Sequence, residues 1–206
     1  MADKQLCMFI DLDKCIGCNA CSVACKGEND IPEAAWNTWI DSFDYEEDTN
    51  IYRANIPMQC NHCKDAPCVP VCPTGASFFS EVGTVLVDTE ACIGCGACVE
   101  ACPYKVRWVN PDTNTVGKCT FCHERTTNGL LPACVSSCVT QARYFGYMDD
   151  ESSDVSNLLA ENNGGDILHK EFELETHVRY KGLEHLKDYY GKTSVLRGGN
   201  IKEISK

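Results

Sequence analysis

The sequence reads Lys14-Cys15-Ile16-Gly17-Cys18-Asn19-Ala20-Cys21 near its start, and almost the same pattern returns as Ala91-Cys92-Ile93-Gly94-Cys95-Gly96-Ala97-Cys98. One further cysteine follows each copy at the same spacing, Cys25 after the first and Cys102 after the second. Repetition of this kind indicates a duplicated structural unit. The fold is therefore expected to contain two related cysteine-rich units.

Cysteine is the most informative residue type in the composition. The chain has 17 cysteines in 206 residues, so disulfides, metal or redox chemistry must account for them. All but one fall into four blocks: Cys15, Cys18, Cys21 and Cys25; Cys60, Cys63, Cys68 and Cys72; Cys92, Cys95, Cys98 and Cys102; Cys119, Cys122, Cys134 and Cys138. The exception, Cys7, lies in the apolar run from Leu6 to Ile10, where we expect a buried thiol that packs like a small hydrophobe.

The spacing within the blocks is typical of cubane iron-sulfur clusters. In blocks one and three, Cys-x2-Cys-x2-Cys supplies three thiolates from one tight loop, and a fourth cysteine follows three residues on. Zinc sites usually take cysteines as two separated pairs; blocks two and four alone could be zinc ribbons, but together with the triplets they favour clusters. A disulfide framework would need an oxidising compartment and would not explain four repeated blocks.

Overall charge and local patterns exclude several other functions. The formal net charge of -12 argues against a nucleic-acid partner. No stretch approaches the roughly 18 consecutive apolar residues of a membrane span, and residues 1–5 show no signal-peptide pattern. We find no Ser/His/Asp set, paired carboxylates or Gly-rich phosphate loop, so we expect no catalytic site on this chain.

Short apolar runs flank the blocks and are predicted to be strands: Leu6 to Ile10, Thr84 to Val87, Val106 to Val109 and Arg143 to Tyr147. In every block the third and fourth cysteines are four residues apart, which predicts a short helix at the end of each block. The acidic stretch from Asp41 to Asp48 is predicted to be an inserted surface element, and a capped helix is predicted from Val155 to Glu161. The fold class is α+β.

Several motifs together resemble one protein family over residues 5–160. These are Cys60-Asn61-His62-Cys63-Lys64-Asp65-Ala66-Pro67-Cys68, Cys102-Pro103-Tyr104 and Lys118-Cys119-Thr120-Phe121-Cys122, in this block order. The chain is similar to the four-cluster electron-transfer (beta) subunits of the dimethyl sulfoxide reductase family of molybdopterin oxidoreductases. The resemblance implies a non-catalytic subunit that relays single electrons through four [4Fe-4S] clusters. Some relatives have tryptophan where this chain has Cys95, so four cubanes are expected here.

The resemblance also implies how the blocks pair, because in two-cluster ferredoxins the fourth cysteine of a block binds the other cluster. Block one pairs with block four, and block two with block three. The implied ligand sets are Cys15, Cys18, Cys21 with Cys138; Cys119, Cys122, Cys134 with Cys25; Cys60, Cys63, Cys68 with Cys102; and Cys92, Cys95, Cys98 with Cys72.

Two ferredoxin-like units in a tandem or nested arrangement follow from this pairing. Residues 1–59 with 111–148 form the first unit, which includes an insertion at 27–58, and residues 60–110 form the second. Residues 149–206 are a C-terminal extension, with Tyr180, Tyr189 and Tyr190, that we expect to wrap the core or a partner or to be a partly ordered terminus.

The implied partners are a molybdopterin-containing catalytic subunit and either a membrane-anchor, quinol-oxidising subunit or a soluble donor. We favour a membrane-associated complex exported with a partner; a cytoplasmic complex is the alternative. Two other functions stay open: a relay subunit of a hydrogenase, formate dehydrogenase or carbon monoxide dehydrogenase type complex, and a zinc-stabilised scaffold without a redox role.

Some charged and histidine residues lie close to the cysteines in sequence. They could raise cluster potentials, or they could be ordinary surface charges: Lys26, Lys64, Lys105, Arg107 and Lys118. His62 and His123 are expected to support or surround the ligands and not to bind iron, because sixteen cysteines already complete four sets.

Overall fold

The computed structural model describes residues 4–186 and the backbone of residues 196–197. It has the expected α+β character, with small sheets and short helices. The strands are β1 Leu6–Asp11, β2 Thr38–Glu47, β3 Asn50–Gln59, β4 Ser77–Phe79, β5 Val85–Val87, β6 Trp108–Val109, β7 Val116–Gly117, β8 Arg143–Tyr147, β9 Val178–Lys181 and β10 Leu196–Arg197. The α-helices are α1 Ala20–Glu28, α2 Ala97–Glu100, α3 His123–Thr127, α4 Ala133–Ser136, α5 Asp154–Glu161 and α6 Leu183–Leu186.

Strand β1 lies at the centre of a three-stranded sheet with the order β8-β1-β9. It runs antiparallel to β8 and parallel to β9. All six of its residues are buried because alternate side chains meet different layers. Cys7 and Phe9 pack against α5, whereas Met8 and Ile10 belong to the main core. The predicted burial of Cys7 is confirmed, with 0% of it exposed.

Strands β2 and β3 form a long antiparallel hairpin that pairs Thr38 with Gln59 at its base and Glu47 with Asn50 near its tip. The prediction of an acidic surface element is wrong for the inner half of this hairpin. Asp41 and Phe43 are buried there, and Asp41 accepts a 2.9 Å hydrogen bond from the indole of Trp39. Only the outer half is solvent-facing, because sheet packing decides burial and composition does not.

The cysteine blocks do not all end in helices. Helix α1 contains both Cys21 and Cys25, and α2 and α4 each contain the third cysteine of their block and stop before the fourth. Block two has only turns, with Cys72 N donating to the carbonyl of Val69. The predicted helix is wrong there, because Pro70 lacks an amide donor and its ring obstructs the preceding turn.

The C-terminal extension contributes to the core. The predicted helix forms as α5 and packs on Phe9 through Val155 and Leu159, but its N-cap residue, Ser153, makes no side-chain capping hydrogen bond. Tyr180 of β9 is fully buried and its hydroxyl donates to the Pro57 carbonyl at 2.8 Å. None of the helices within the described residues is long and apolar enough to cross a membrane. Tyr189 and Tyr190 lie outside the described residues.

Candidate metal centres

Sixteen cysteines line four small cavities, four to each cavity. Every cavity takes three cysteines from one block and the fourth from another block. Cavity A has Cys15, Cys18, Cys21 and Cys138; cavity B has Cys25, Cys119, Cys122 and Cys134; cavity C has Cys60, Cys63, Cys68 and Cys102; cavity D has Cys72, Cys92, Cys95 and Cys98. The structure thus brings all the cysteines that the sequence predicted into four groups, and Cys7 lies with none of them.

The chemistry of these groups fits a cluster better than a single ion. All seventeen cysteines are free thiols. Within the described part of the chain, no three His, Cys, Asp or Glu side chains converge as the ligands of one metal ion do. The thiols surround a space instead, as the ligands of a four-iron cube must.

Two glycines give the repeated loops a left-handed backbone conformation beside the cysteines. Gly17 and Gly94 occupy the same position in the two copies and have φ of 69° and 67°. Residues in this left-handed region form concave nests of N–H groups that favour anions. Glycine is needed at Gly94 because a Cβ there would collide with the backbone carbonyl oxygen of Asn114.

Backbone amides also bond directly to cysteine sulfurs. Ala142 N donates to Cys138 Sγ at 3.2 Å, and Phe121 N donates to Cys119 Sγ at 3.4 Å. A similar bond from Ser77 N is the main cause that lowers the pKa of the Cys72 thiol to about 7. By contrast, burial raises the pKa of the Cys63 thiol to about 12. Metal binding must displace the proton from buried thiols such as that of Cys63.

The four cavities differ in their exposure. The cysteines of cavities B and C are all buried, whereas cavity A includes the exposed Cys18 and cavity D the exposed Cys95. Helix α1 places Cys21 of cavity A one turn from Cys25 of cavity B. Two cavities are therefore internal and two open towards solvent.

Three buried cations lie beside the cysteines. Arg107 Nη2 donates to Cys68 Sγ at 2.8 Å, Lys118 Nζ donates to the carbonyls of Val85 and Cys119, and Arg143 Nη1 donates to Gln59 Oε1 at 2.6 Å. Within the described residues, none of the three has a carboxylate in ion-pair contact. Buried charges need compensation, and thiolates that hold iron and sulfide would provide it.

The other candidate cations do not contact the cavities. Lys64 and Lys105 are exposed and pair with Glu175 and Glu100. Lys26 donates to three carbonyl oxygens of the following loop, at 2.6 to 2.9 Å. These three lysines therefore act in local structure, and only Arg107 and Lys118 of the five reach the cysteine environment.

Arg143 is a buried cation beside the cysteines that was not among the candidates from the sequence. The spacing in the sequence could have identified it: Arg143 lies five residues after Cys138, just as Arg107 lies five residues after Cys102. Arg143 lines cavity A, and Arg107 lines cavity C. Cavities A and C therefore each have a buried arginine five residues after their fourth cysteine.

The two histidines are placed differently. His62 is fully buried, and its Nδ1 accepts a 3.2 Å hydrogen bond from Val85 N. Burial and the neighbouring Lys118 lower its pKa well below the usual value, so the ring is neutral. His123 begins α3 and is only partly buried. Neither histidine lines cavity A, C or D.

Comparison with known proteins identifies iron-sulfur domains in the cysteine-rich part of the chain. Two families, both described as 4Fe-4S dicluster domains, match residues 52–148 and residues 14–76. The B subunit of tetrathionate reductase from Salmonella typhimurium is 43% identical over 180 residues, which is 86% of this chain and 72% of the relative.

Two further relatives are similar over most of their length. The thiosulfate reductase electron transfer subunit PhsB of Salmonella typhi is 46% identical, covering 71% of this chain and 78% of the relative. The B subunit of polysulfide reductase from Wolinella succinogenes is 40% identical, covering 76% and 84%. The chain therefore belongs to the family of iron-sulfur electron-transfer subunits of dimethyl sulfoxide reductase type complexes, and its dicluster domains bind four [4Fe-4S] clusters.

Proposed function

We propose that this chain carries single electrons between a molybdopterin-containing catalytic subunit and a second redox partner, either a membrane-anchor, quinol-linked subunit or a soluble protein. The relatives support this, because their names place them in tetrathionate, thiosulfate and polysulfide reductases. The clusters supply the one-electron chemistry when bound. The chain's own residues hold them, exclude water from them and supply the surrounding charge.

The observation that carries the proposal is the grouping of the cysteines. Each of cavities A to D would hold one cluster through the four cysteines that line it. This supports the four ligand sets and the nested units, with residues 1–59 and 111–148 forming one unit, residues 60–110 the other, and residues 149–206 an extension. Strand β9 of that extension pairs with β1 of the first unit.

The cavities also suggest an order along the relay. A and B are linked by the turn of α1 between Cys21 and Cys25. B and C are linked by the contact of Phe121 with His62. Cavities C and D are linked because each takes its cysteines from both block two and block three. The proposed order is A, B, C, D, with the buried pair in the middle and an open cavity at each end.

Exposed apolar side chains lie at both ends and support docking there. Ile16 and Val139 lie beside cavity A and are 63% and 68% exposed. Ile93 lies beside cavity D and is 60% exposed. Exposed apolar side chains gathered at one place are typical of contact surfaces between proteins. One partner is proposed at each end of the relay, in a membrane-associated complex whose export with a partner is favoured over a cytoplasmic location.

Metal analysis of anaerobically prepared protein tests the proposal. We expect about sixteen irons and about sixteen acid-labile sulfides per chain, with little zinc, and the native complex should contain molybdopterin. The Cys18→Ser variant should lose iron or show an altered cluster, whereas Cys7→Ser should keep the full content because Cys7 lines none of cavities A to D. About four zincs per chain, without sulfide, would show that the chain is a scaffold.

A further inference from the structure

Arg107 occupies an unusual place among the charged residues of the described chain. Its side chain lines cavity C, only 4% of the residue is exposed, and Nη2 lies 2.8 Å from Cys68 Sγ and 3.0 Å from Ser77 Oγ. The other two guanidinium nitrogens, Nε and Nη1, are buried and have no hydrogen-bond partner among the described residues. A guanidinium in this position is held against a cysteine sulfur by a short, charge-assisted bond.

Sulfur atoms are the charge partners of this arginine. The bond from Nη2 to Cys68 Sγ holds the positive charge against a cysteine of cavity C, and the charge also interacts electrostatically with Cys60 and Cys98. Cys60 and Cys68 line cavity C, and Cys98 lines cavity D. The fixed positive charge therefore lies in contact with cavity C and also acts on a cysteine of cavity D.

The equivalent arginine of the first unit is used differently. Arg143 lines cavity A, but its nitrogens donate to Gln59 Oε1 at 2.6 Å and to Thr38 Oγ1 at 3.1 Å. The sulfur to which it donates is the thioether of Met8, at 3.5 Å. Arg143 thus donates to neutral groups, whereas Arg107 donates to a cysteine sulfur. The two halves of the duplication differ at this point.

We propose that Arg107 sets the reduction potential of the cluster held by Cys60, Cys63, Cys68 and Cys102, raising it by its charge and by its hydrogen bond to Cys68. The proposal rests on the ligand sets given above. Reduction adds negative charge to a cluster, so a nearby buried cation and a donor to a ligand sulfur stabilise the reduced state. Arg107 would make the cavity C cluster a better electron acceptor than its cysteine ligands alone would.

A potentiometric titration of the four EPR signals tests this. Arg107→Met keeps an apolar stem of similar length and removes the charge, and it should lower the midpoint potential of one cluster, with a smaller downward shift at its cavity D neighbour. Arg107→Lys keeps the charge and should shift that potential less. Lys105→Met is the matched control, since this exposed lysine is ion-paired with Glu100, and all four potentials should stay unchanged.

A pulsed EPR measurement tests the contact without relying on the Met variant to assemble. In wild-type protein labelled with 15N-arginine, one reduced cluster should show coupling to arginine nitrogen, and this coupling should be lost in Arg107→Lys. Absence of that coupling in the wild type overturns the proposal. So does an Arg107→Met protein with full iron and unchanged potentials, a result that leaves the electron-relay function intact. Failure of the relay function itself would appear as wild-type protein without iron.

Discussion

The imidazole ring of His62 stacks on the phenyl ring of Phe121, with the ring centroids 3.7 Å apart. His62 lies between two cysteines of cavity C, Cys60 and Cys63, and Phe121 lies between Cys119 and Cys122 of cavity B. Both side chains are essentially inaccessible to solvent. This pair joins the two internal cysteine groups, cavities B and C, through a direct side-chain contact.

Replacement of His62 by alanine should therefore destabilise the protein. The variant loses the stacked ring and leaves the buried amide of Val85 without its acceptor, which together should cost about 2–4 kcal/mol. We expect a lower guanidinium midpoint in anaerobic unfolding followed by circular dichroism. His185→Ala is the control, because His185 lies at the surface beside Glu47; equal losses in both variants would contradict the role of the stack.

The cysteine loop of block three should distinguish two glycines. Both Gly94 and Gly96 have positive φ, at 67° and 74°, but only at Gly94 would a Cβ meet the carbonyl of Asn114. Gly96→Ala should cost about 1–2 kcal/mol of backbone strain, and Gly94→Ala should cost more and lower iron content. The measurement is iron per chain after identical anaerobic preparation. Similar iron loss in both variants would contradict this prediction, because it would mean that the loop moves enough to avoid the collision between the new Cβ at position 94 and the Asn114 carbonyl.

Two lysines near the cysteines should differ strongly in their contribution to stability. Lys26 holds the carbonyls of Pro32, Glu33 and Ala35, so Lys26→Met should lower the free energy of unfolding by about 1–3 kcal/mol. Lys64→Met removes only an exposed ion pair with Glu175 and should cost less than about 1 kcal/mol. Thermal unfolding compares the two variants. The loss of stability in Lys26→Met should not change with salt concentration, because Lys26 binds carbonyl oxygens and, among the described residues, no carboxylate.

The grouping of cysteines across blocks makes a spectroscopic prediction. Cys25→Ser and Cys134→Ser should perturb the same EPR signal, because both residues line cavity B. Cys21→Ser should perturb a different signal, because Cys21 lines cavity A, although it is only four residues from Cys25. If Cys21 and Cys25 changed one and the same signal, the ligand sets would follow the blocks and the crossed arrangement would be wrong.

Local sequence patterns predicted several elements because short-range geometry decides them. The run from Leu6 to Ile10 forms β1, the run from Arg143 to Tyr147 forms β8, and the helix predicted from Val155 to Glu161 forms α5. The same reasoning was wrong for block two, where Pro70 interrupts the spacing that predicted a helix. It was also wrong for Asp41 and Phe43, since their burial depends on packing with parts of the chain far away in sequence.

The sequence by itself determined the number and type of the cysteine groups, because the spacing of thiols within a tight loop is a local property. Only the tertiary structure decided the rest: that β9 joins β1, that His62 meets Phe121, and that Arg107 reaches a cysteine sulfur while Arg143 does not. Arg107 and Arg143 hold the same place in the repeat. Their different partners come from long-range packing, which no spacing along the chain records.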